Sequence, residues 1–253
     1  MLKTRIIPCL LLHEGGLVKT EKFKNPKYVG DPINAVRIYN EKEVDELIFL
    51  DIDASRKGEE PNLSTIEDLA TECFMPFAYG GGITTLQQIQ RILKVGVEKV
   101  IINQSALKNP DFIKEAAKHF GSSTIIVAVD IKKDLWGNYK VYDHVKKKTV
   151  GLTPTEYALQ MCEAGAGELF INNVDKDGTY TGFDSQILES INKIVSVPVI
   201  ACGGASGTND LKEVVAKANV SGVAAGSIFV YQGPHRAVLI SYPSQEELQR
   251  LFS

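Results

Sequence analysis

The chain has 253 residues, of which 44% are hydrophobic and 23% charged, values that exclude a disordered, collagen-like or fibrous protein. That length admits one large α/β barrel or two smaller domains. With 28 Lys and Arg against 31 Asp and Glu, the formal net charge is −3. No global basic field of the nucleic-acid-binding kind exists, so an anionic ligand must be held by a local device.

The longest apolar runs, such as Leu10 to Leu12 and Ala237 to Ile240, are far shorter than a bilayer span, and the N-terminus lacks a signal-peptide pattern. The expected location is the cytoplasm, with neither a membrane nor a nucleic acid as partner. Cys9, Cys73, Cys162 and Cys202 are widely separated, without a CxxC or Cys-His spacing for zinc, and are expected to be reduced packing residues; no metal is expected.

In chain order, short β-branched runs predict strands at Ile6 to Leu12, Glu46 to Ile52, Pro76 to Tyr79, Lys99 to Asn103, Thr124 to Asp130, Glu168 to Asn173, Pro198 to Cys202 and Gly222 to Ala225. Between them lie helix starts at Asp31-Pro32, Ser64 with Glu67, Thr85 with Gln88, Asn109-Pro110, Thr153-Pro154 with Glu156, and Ser244 with Glu247. Eight strand-helix units predict a single (β/α)8 TIM barrel rather than an open doubly wound sheet. No GxGxxG follows Leu12, and no cofactor is expected.

A constant offset of 122 superposes the second half on the first: 46 + 122 = 168 pairs Glu46 with Glu168, and likewise Asp53 with Asp175, Pro76 with Pro198, Gly81-Gly82 with Gly203-Gly204 and Ser105 with Ser227. The expected organisation is one domain, 1–253, made of half-barrels of about 1–122 and 123–253.

Function in such barrels sits at the C-terminal ends of the strands. Gly80-Gly81-Gly82 and Asn103-Gln104-Ser105 follow the third and fourth predicted strands, and Gly203-Gly204 and Gly226-Ser227 follow the seventh and eighth. Glycine lets backbone N–H groups approach an anion, so two phosphate cradles are expected on opposite sides of the mouth, suiting an elongated ligand with a phosphate at each end. Asp51, Asp53, Asp175, Asp177 with Gly178, and Asp130 surround the same mouth. Asp130, closing the apolar run Ile125 to Val129, is the candidate acid or base, whereas capping or loop hydrogen bonding accounts equally well for Asp53, Asp175 and Asp177.

Two long connections break the rhythm. His13 to Gly30 holds Lys19, Lys22, Lys24 and Lys27, while Ile131 to Gly151 holds Trp136, Tyr139, Tyr142, His144 and Lys146 to Lys148. They are expected to form a lid and substrate clamp that supply positive charge, with a solvated face equally open for Lys146 to Lys148 and with His144 on a loop rather than acting as a base. At the opposite end, Arg5, Glu46, Lys99 and Glu168 stand at strand starts, where residue chemistry alone favours a stabilising ion-pair ring.

The motifs Ile6-Ile7-Pro8-Cys9-Leu10, Phe49-Leu50-Asp51-Ile52, Gly80-Gly81-Gly82-Ile83, Lys99 to Asn103, Val129-Asp130, Asp175-Lys176-Asp177-Gly178-Thr179 and Val199 to Ala205 resemble HisF, the cyclase subunit of imidazole glycerol phosphate synthase, over almost the whole chain. The resemblance implies a barrel bound through its lower, N-terminal face to a HisH-type glutaminase, with ammonia passing along the axis to a phosphorylated ligand at the top. It implies phosphate-binding roles for Gly81, Gly82, Asn103, Asp177, Gly178, Gly203, Gly204, Gly226 and Ser227, a substrate-loop role for Lys19 and catalysis by Asp130. It also implies an ammonia gate of Arg5, Glu46, Lys99 and Glu168, in place of a purely structural ring.

The family pairs the aspartate matching Asp130 with another at the end of the first strand, where this chain has Leu11, a residue that transfers no proton. Leu11-Leu12, Lys27 to Pro32 and the tail Tyr231 to Pro243 look like the AglZ-type HisF-like branch found with surface-polysaccharide genes. That branch implies ammonia delivery, with a separate sugar amidotransferase, for acetamidino modification of an N-acetyl sugar. The alternatives are the cyclase step of histidine biosynthesis, with Asp130 working alone or with Asp51 or Asp53 substituting for the missing aspartate, and a catalytically silent partner that activates the glutaminase.

Overall fold

A computed structural model describes residues 4–252. Eight parallel strands form a closed barrel: β1 (Arg5–His13), β2 (Leu47–Asp51), β3 (Phe77–Gly80), β4 (Lys99–Ile102), β5 (Ile125–Lys133), β6 (Glu168–Asn173), β7 (Val199–Cys202) and β8 (Gly222–Ala225). Each pairs with its sequence neighbours, and the register Ile6↔Val223 between β1 and β8 closes the ring. Eight helices cover it: α1 (Pro32–Glu41), α2 (Leu63–Glu72), α3 (Leu86–Lys94), α4 (Pro110–Phe120), α5 (Pro154–Glu163), α6 (Ser185–Asn192), α7 (Thr208–Ala218) and α8 (Gln245–Phe252). The expected (β/α)8 barrel is the fold.

The helix starts follow local chemistry. Asp31 caps α1 ahead of Pro32, and Thr85 with Gln88 and Thr153 with Glu156 make reciprocal capping boxes on α3 and α5. The start expected at Ser64 lies instead at Asn62, whose side chain accepts the Thr65 N–H at 3.2 Å. Asn serves as well as Ser in that position, and it stands two residues earlier.

Strand parity sorts the core into two compartments. Helices pack on outward residues such as Phe49, Tyr79, Val127 and Leu169, while Ile7, Cys9, Ile48, Ala78, Ile101, Ile126, Ala128, Phe170, Ile200, Cys202 and Ala224 fill the barrel interior. One face of each strand therefore runs from the lower to the upper mouth: Arg5, Ile7, Cys9, Leu11 on β1, and Glu168, Phe170, Asn172 on β6.

The two long connections are ordered ribbons rather than open loops. Strand β1 turns back through Gly16–Glu21 and Lys24–Gly30, and β5 pairs antiparallel with Tyr139–Asp143, which pairs in turn with Lys148–Thr149. Alternation in Leu17-Val18-Lys19-Thr20 continues the β1 pairing, as in Leu11↔Val18, so the chain closes a hairpin. Before α8 the tail forms a small hairpin, Tyr231–Gln232 with Ala237–Val238. Among the described residues, no helix is long and apolar enough to cross a membrane, and no group of three or more His, Cys, Asp or Glu is placed to hold a metal ion. All four cysteines are free, with Cys9 and Cys202 buried.

Candidate functional site

At the lower mouth, the inward-facing start of each contributing strand carries a charge. Arg5 donates from Nη1 to Glu46 at 2.6 Å and from Nη2 to Glu168, while Lys99 Nζ lies 3.1 Å from Glu168 and 3.7 Å from Glu46. The four side chains close a ring in which the carboxylates are 5% exposed and the cations 26%. Burial works to lower the Arg5 pKa, but the hydrogen bond and charge of Glu168, helped by Glu46, raise it overall. Burial raises the Glu46 pKa against the opposing charges of Arg5 and Lys99.

At the upper mouth, the strand ends surround a cavity that is open to solvent. Every residue expected at a phosphate cradle lines it except Asn103's neighbour Ser105: Gly81, Gly82, Asn103, Asp177, Gly178, Gly203, Gly204, Gly226 and Ser227 are all present, with Asp130 and Leu11 among them. The backbone approach is close. A Cβ on Gly81, at φ +134°, would stand 2.6 Å from the Asp51 Cβ. Ser105 turns its hydroxyl to the Ile83 carbonyl at 2.5 Å.

Asp130 is 6% exposed at the top of the inward row Ile126, Ala128. Asn103 Nδ2 donates to its Oδ2 at 3.1 Å, and His144 Nδ1 lies 3.3 Å from the same oxygen without an aligned hydrogen bond. Asp177 accepts from the Thr20 hydroxyl at 2.8 Å and the Phe23 N–H at 3.3 Å, binding the β1 ribbon to the turn after β6. Burial raises its pKa in spite of those donors and the charge of Lys19. Lys19 is 6% exposed, its Nζ donating to the Cys9 carbonyl at 2.5 Å, and burial lowers its pKa. It is a fixed interior cation on a strand, not a residue of a mobile loop.

Several sequence expectations are corrected here. Of the lysines in the two ribbons, only Lys19 lines the cavity; Lys146, Lys147 and Lys148 take the solvated face that is the equal alternative, and Trp136 stands 84% exposed at a ribbon tip. Ribbon alternation and twist aim their side chains at water. Neither ribbon hangs free as a lid: Tyr139 donates to Asp184 at 2.5 Å, Lys132 reaches Asp175 at 2.7 Å, and Phe23 meets Tyr142 edge-to-face. Asp53 cannot assist Asp130, because it faces a separate small pocket and bonds His13 at 2.8 Å. Burial pushes the Asp53 carboxyl up, yet the hydrogen bonds from His13 and the Glu14 N–H, with the nearby cations, hold it low overall. Asp51 reaches the cavity edge, but its Oδ1 caps the turn by accepting from the Asp53 and Ala54 N–H groups. His144 sits on the turn after the ribbon strand, as expected, and from there it also lines the cavity. Its position after the alternating segment Tyr139 to Asp143 is the only sequence signal that points there.

The family described as "Histidine biosynthesis protein" matches residues 5–235. The chain is 53% identical over 248 residues to the "Putative imidazole glycerol phosphate synthase subunit hisF2" of Pseudomonas aeruginosa, covering 98% of this chain and 99% of that one. It is 49% identical over 253 residues to the "Putative imidazole glycerol phosphate synthase subunit HisF" of Leptospira interrogans, covering all of both. It is 41% identical over 231 residues to the "Imidazole glycerol phosphate synthase subunit HisF" of Streptococcus sanguinis, covering 91% of this chain and 92% of that one. With the closed barrel, the lower ring and the upper cavity, these likenesses establish that the chain belongs to the HisF family of histidine biosynthesis proteins.

Proposed function

We propose that this chain is the synthase subunit of a cytoplasmic glutamine amidotransferase, receiving ammonia from a HisH-type glutaminase docked on its lower face. One observation carries the reading: the ion-pair ring and the Asp130 cavity stand at opposite ends of the same inward-facing rows of the barrel. Ammonia enters through the ring, whose loosest contact, Lys99 to Glu46 at 3.7 Å, is where it opens. Backbone N–H groups at Gly81 and Gly82 with Asn103, and at Gly203, Gly204, Gly226 and Ser227, hold the phosphates of the ligand, with Asp177 and Gly178 beside them and Lys19 countering charge from below. The two cradles follow the half-barrel repeat. Asp130 is the proton-transfer group.

Leu11 supports the amidine reading over ring closure. Its side chain lines the cavity on β1, where it can neither take nor give a proton. Ring closure by two opposed carboxylates is therefore not this barrel's task, and its ammonia goes with a separate sugar amidotransferase into an acetamidino group on an N-acetyl sugar. A second reading, cyclase chemistry giving imidazole glycerol phosphate, is favoured by the names of the relatives. Purified protein with ammonium chloride and the bisphosphate imidazole precursor separates the two. Turnover below that of an ordinary cyclase by about 10²- to 10⁴-fold is expected; an ordinary rate overturns the amidine reading in favour of the second.

A further inference from the structure

We infer that His144 is the proton-relay partner of Asp130, supplying from the β5 ribbon the second ionisable group that β1 lacks. The inference rests on the proposed ammonia-accepting function and names how its proton leaves.

The argument is geometric. His144 follows the ribbon strand Tyr139–Asp143, and the Asp143 carboxylate accepts the N–H groups of Val145 at 3.0 Å and Lys146 at 2.8 Å, fixing the turn on which His144 sits. The imidazole is thereby aimed inward, 17% exposed, with its buried Nδ1 3.3 Å from Asp130 Oδ2 and no other partner for that nitrogen. A buried ring nitrogen without an aligned bond is costly, and in an empty site such contacts are long and tighten when ligand arrives. Asn103 reaches the same Oδ2, so both neighbours engage one oxygen and Oδ1 is the oxygen for the ligand. The other ionisable groups around the cavity that holds the pair are Asp177, Lys19, Cys9 and Cys202 of its wall, Asp51 and Arg56 of the β2 side, Tyr157 of α5, and Asp143 with Lys146 on the same ribbon. Lys19 balances Asp177, and Lys146 balances Asp143 at 3.6 Å, which leaves Asp130 as the carboxylate that the imidazole answers.

The step balances without an oxidant or reductant. The ammonia nitrogen adds to the carbonyl carbon of the acetamido group that the sugar amidotransferase presents at the upper mouth, the C=O π pair moves onto that oxygen, and the nitrogen gives one proton to Asp130 Oδ1. The carboxyl turns its protonated oxygen to Nδ1 and passes that proton to neutral His144, restoring the carboxylate and forming imidazolium, which loses its Nε2 proton to water; exchange with water returns the ring to its Nε2–H form before the next turnover. One proton moves from ligand to solvent.

Two measurements test this. In ¹⁵N-labelled protein, with the His144 ring signals assigned by their loss in His144→Gln, Asp130→Asn is expected to move the Nδ1 resonance, which reports the group facing that nitrogen, while Asp53→Asn in the separate pocket leaves it in place. An Nδ1 resonance unmoved by Asp130→Asn overturns the pair. In the complete complex supplied with ammonium chloride and a nucleotide-linked N-acetyl sugar, His144→Gln is expected to lower kcat by about 10²-fold, leave KM within about threefold, and remove the acidic limb of the pH profile. An unchanged kcat and pH profile overturns the relay. If the unaltered complex forms no product, the functional reading fails, and the Nδ1 resonance alone decides for or against the pair.

Discussion

Arg5 Nη1 stands 2.6 Å from Glu46 Oε2, joining neighbouring strands at the lower mouth, and Glu168 accepts the other arm of the same guanidinium. Each carboxylate also faces Lys99. Glu168→Gln therefore leaves two cations sharing one charge. A loss of about 1–3 kcal/mol is expected in urea unfolding at neutral pH, below the cost of breaking a fully buried pair because both cations touch water. Repeating the melt in 1 M salt, roughly the concentration at which screening acts over 3 Å, checks that the deficit is electrostatic, since it should shrink. An equal deficit at both salt concentrations would place the effect in packing.

Leu11→Asp tests the empty half of the upper site. It puts a carboxylate opposite Asp130 in a partly enclosed cavity, and a stability cost of about 1–3 kcal/mol at neutral pH is expected. Turnover of the bisphosphate imidazole precursor with ammonium should rise by about 10²-fold or more. No gain in a folded variant would show that other residues, not Leu11, withhold the cyclase reaction.

Asp143 gives a pH-dependent prediction. Burial pushes its carboxyl up, but the Lys146 and Val145 N–H groups, Gln104 and the Lys146 charge outweigh this, and its pKa is held below the usual value. A depressed folded-state pKa contributes stability that is present above the unfolded value, about 3.9, and lost as pH falls through the folded one. Asp143→Asn is thus expected to cost about 1.5–3 kcal/mol at pH 7. Denaturant melts should bring variant and parent together as pH drops below roughly 4. A gap that stays constant across that range would show that the ionised form is not what holds the turn under His144.

Gly81→Ala meets two obstacles: φ is +134°, and the new Cβ would stand 2.6 Å from Asp51 Cβ and 2.7 Å from its carbonyl oxygen. Destabilisation of about 2 kcal/mol or more is expected by thermal unfolding, beyond what αL strain alone produces. Binding of inorganic phosphate, followed by calorimetry, should weaken with it.

The sequence by itself determined the barrel, its strand order, most helix caps and the charges at the lower mouth. These are local properties: β-branched runs, Asp31-Pro32, Thr153 with Glu156, and a residue's place at the start of a strand are all readable within a few positions. Strand parity carried further, since Arg5, Ile7, Cys9 and Leu11 share a face by alternation, and so do Ile126, Ala128 and Asp130. The tertiary structure alone decided what parity leaves open beyond the strand ends. Twist and hairpin register turned Lys19 and His144 inward and sent Trp136 and Lys146 to Lys148 to water. The turn after β2 carried Asp53 to His13 and away from Asp130. The meeting of Asp130 with His144 depends on where an antiparallel ribbon folds back over a closed barrel, a relation between distant backbones that no run of neighbouring residues encodes.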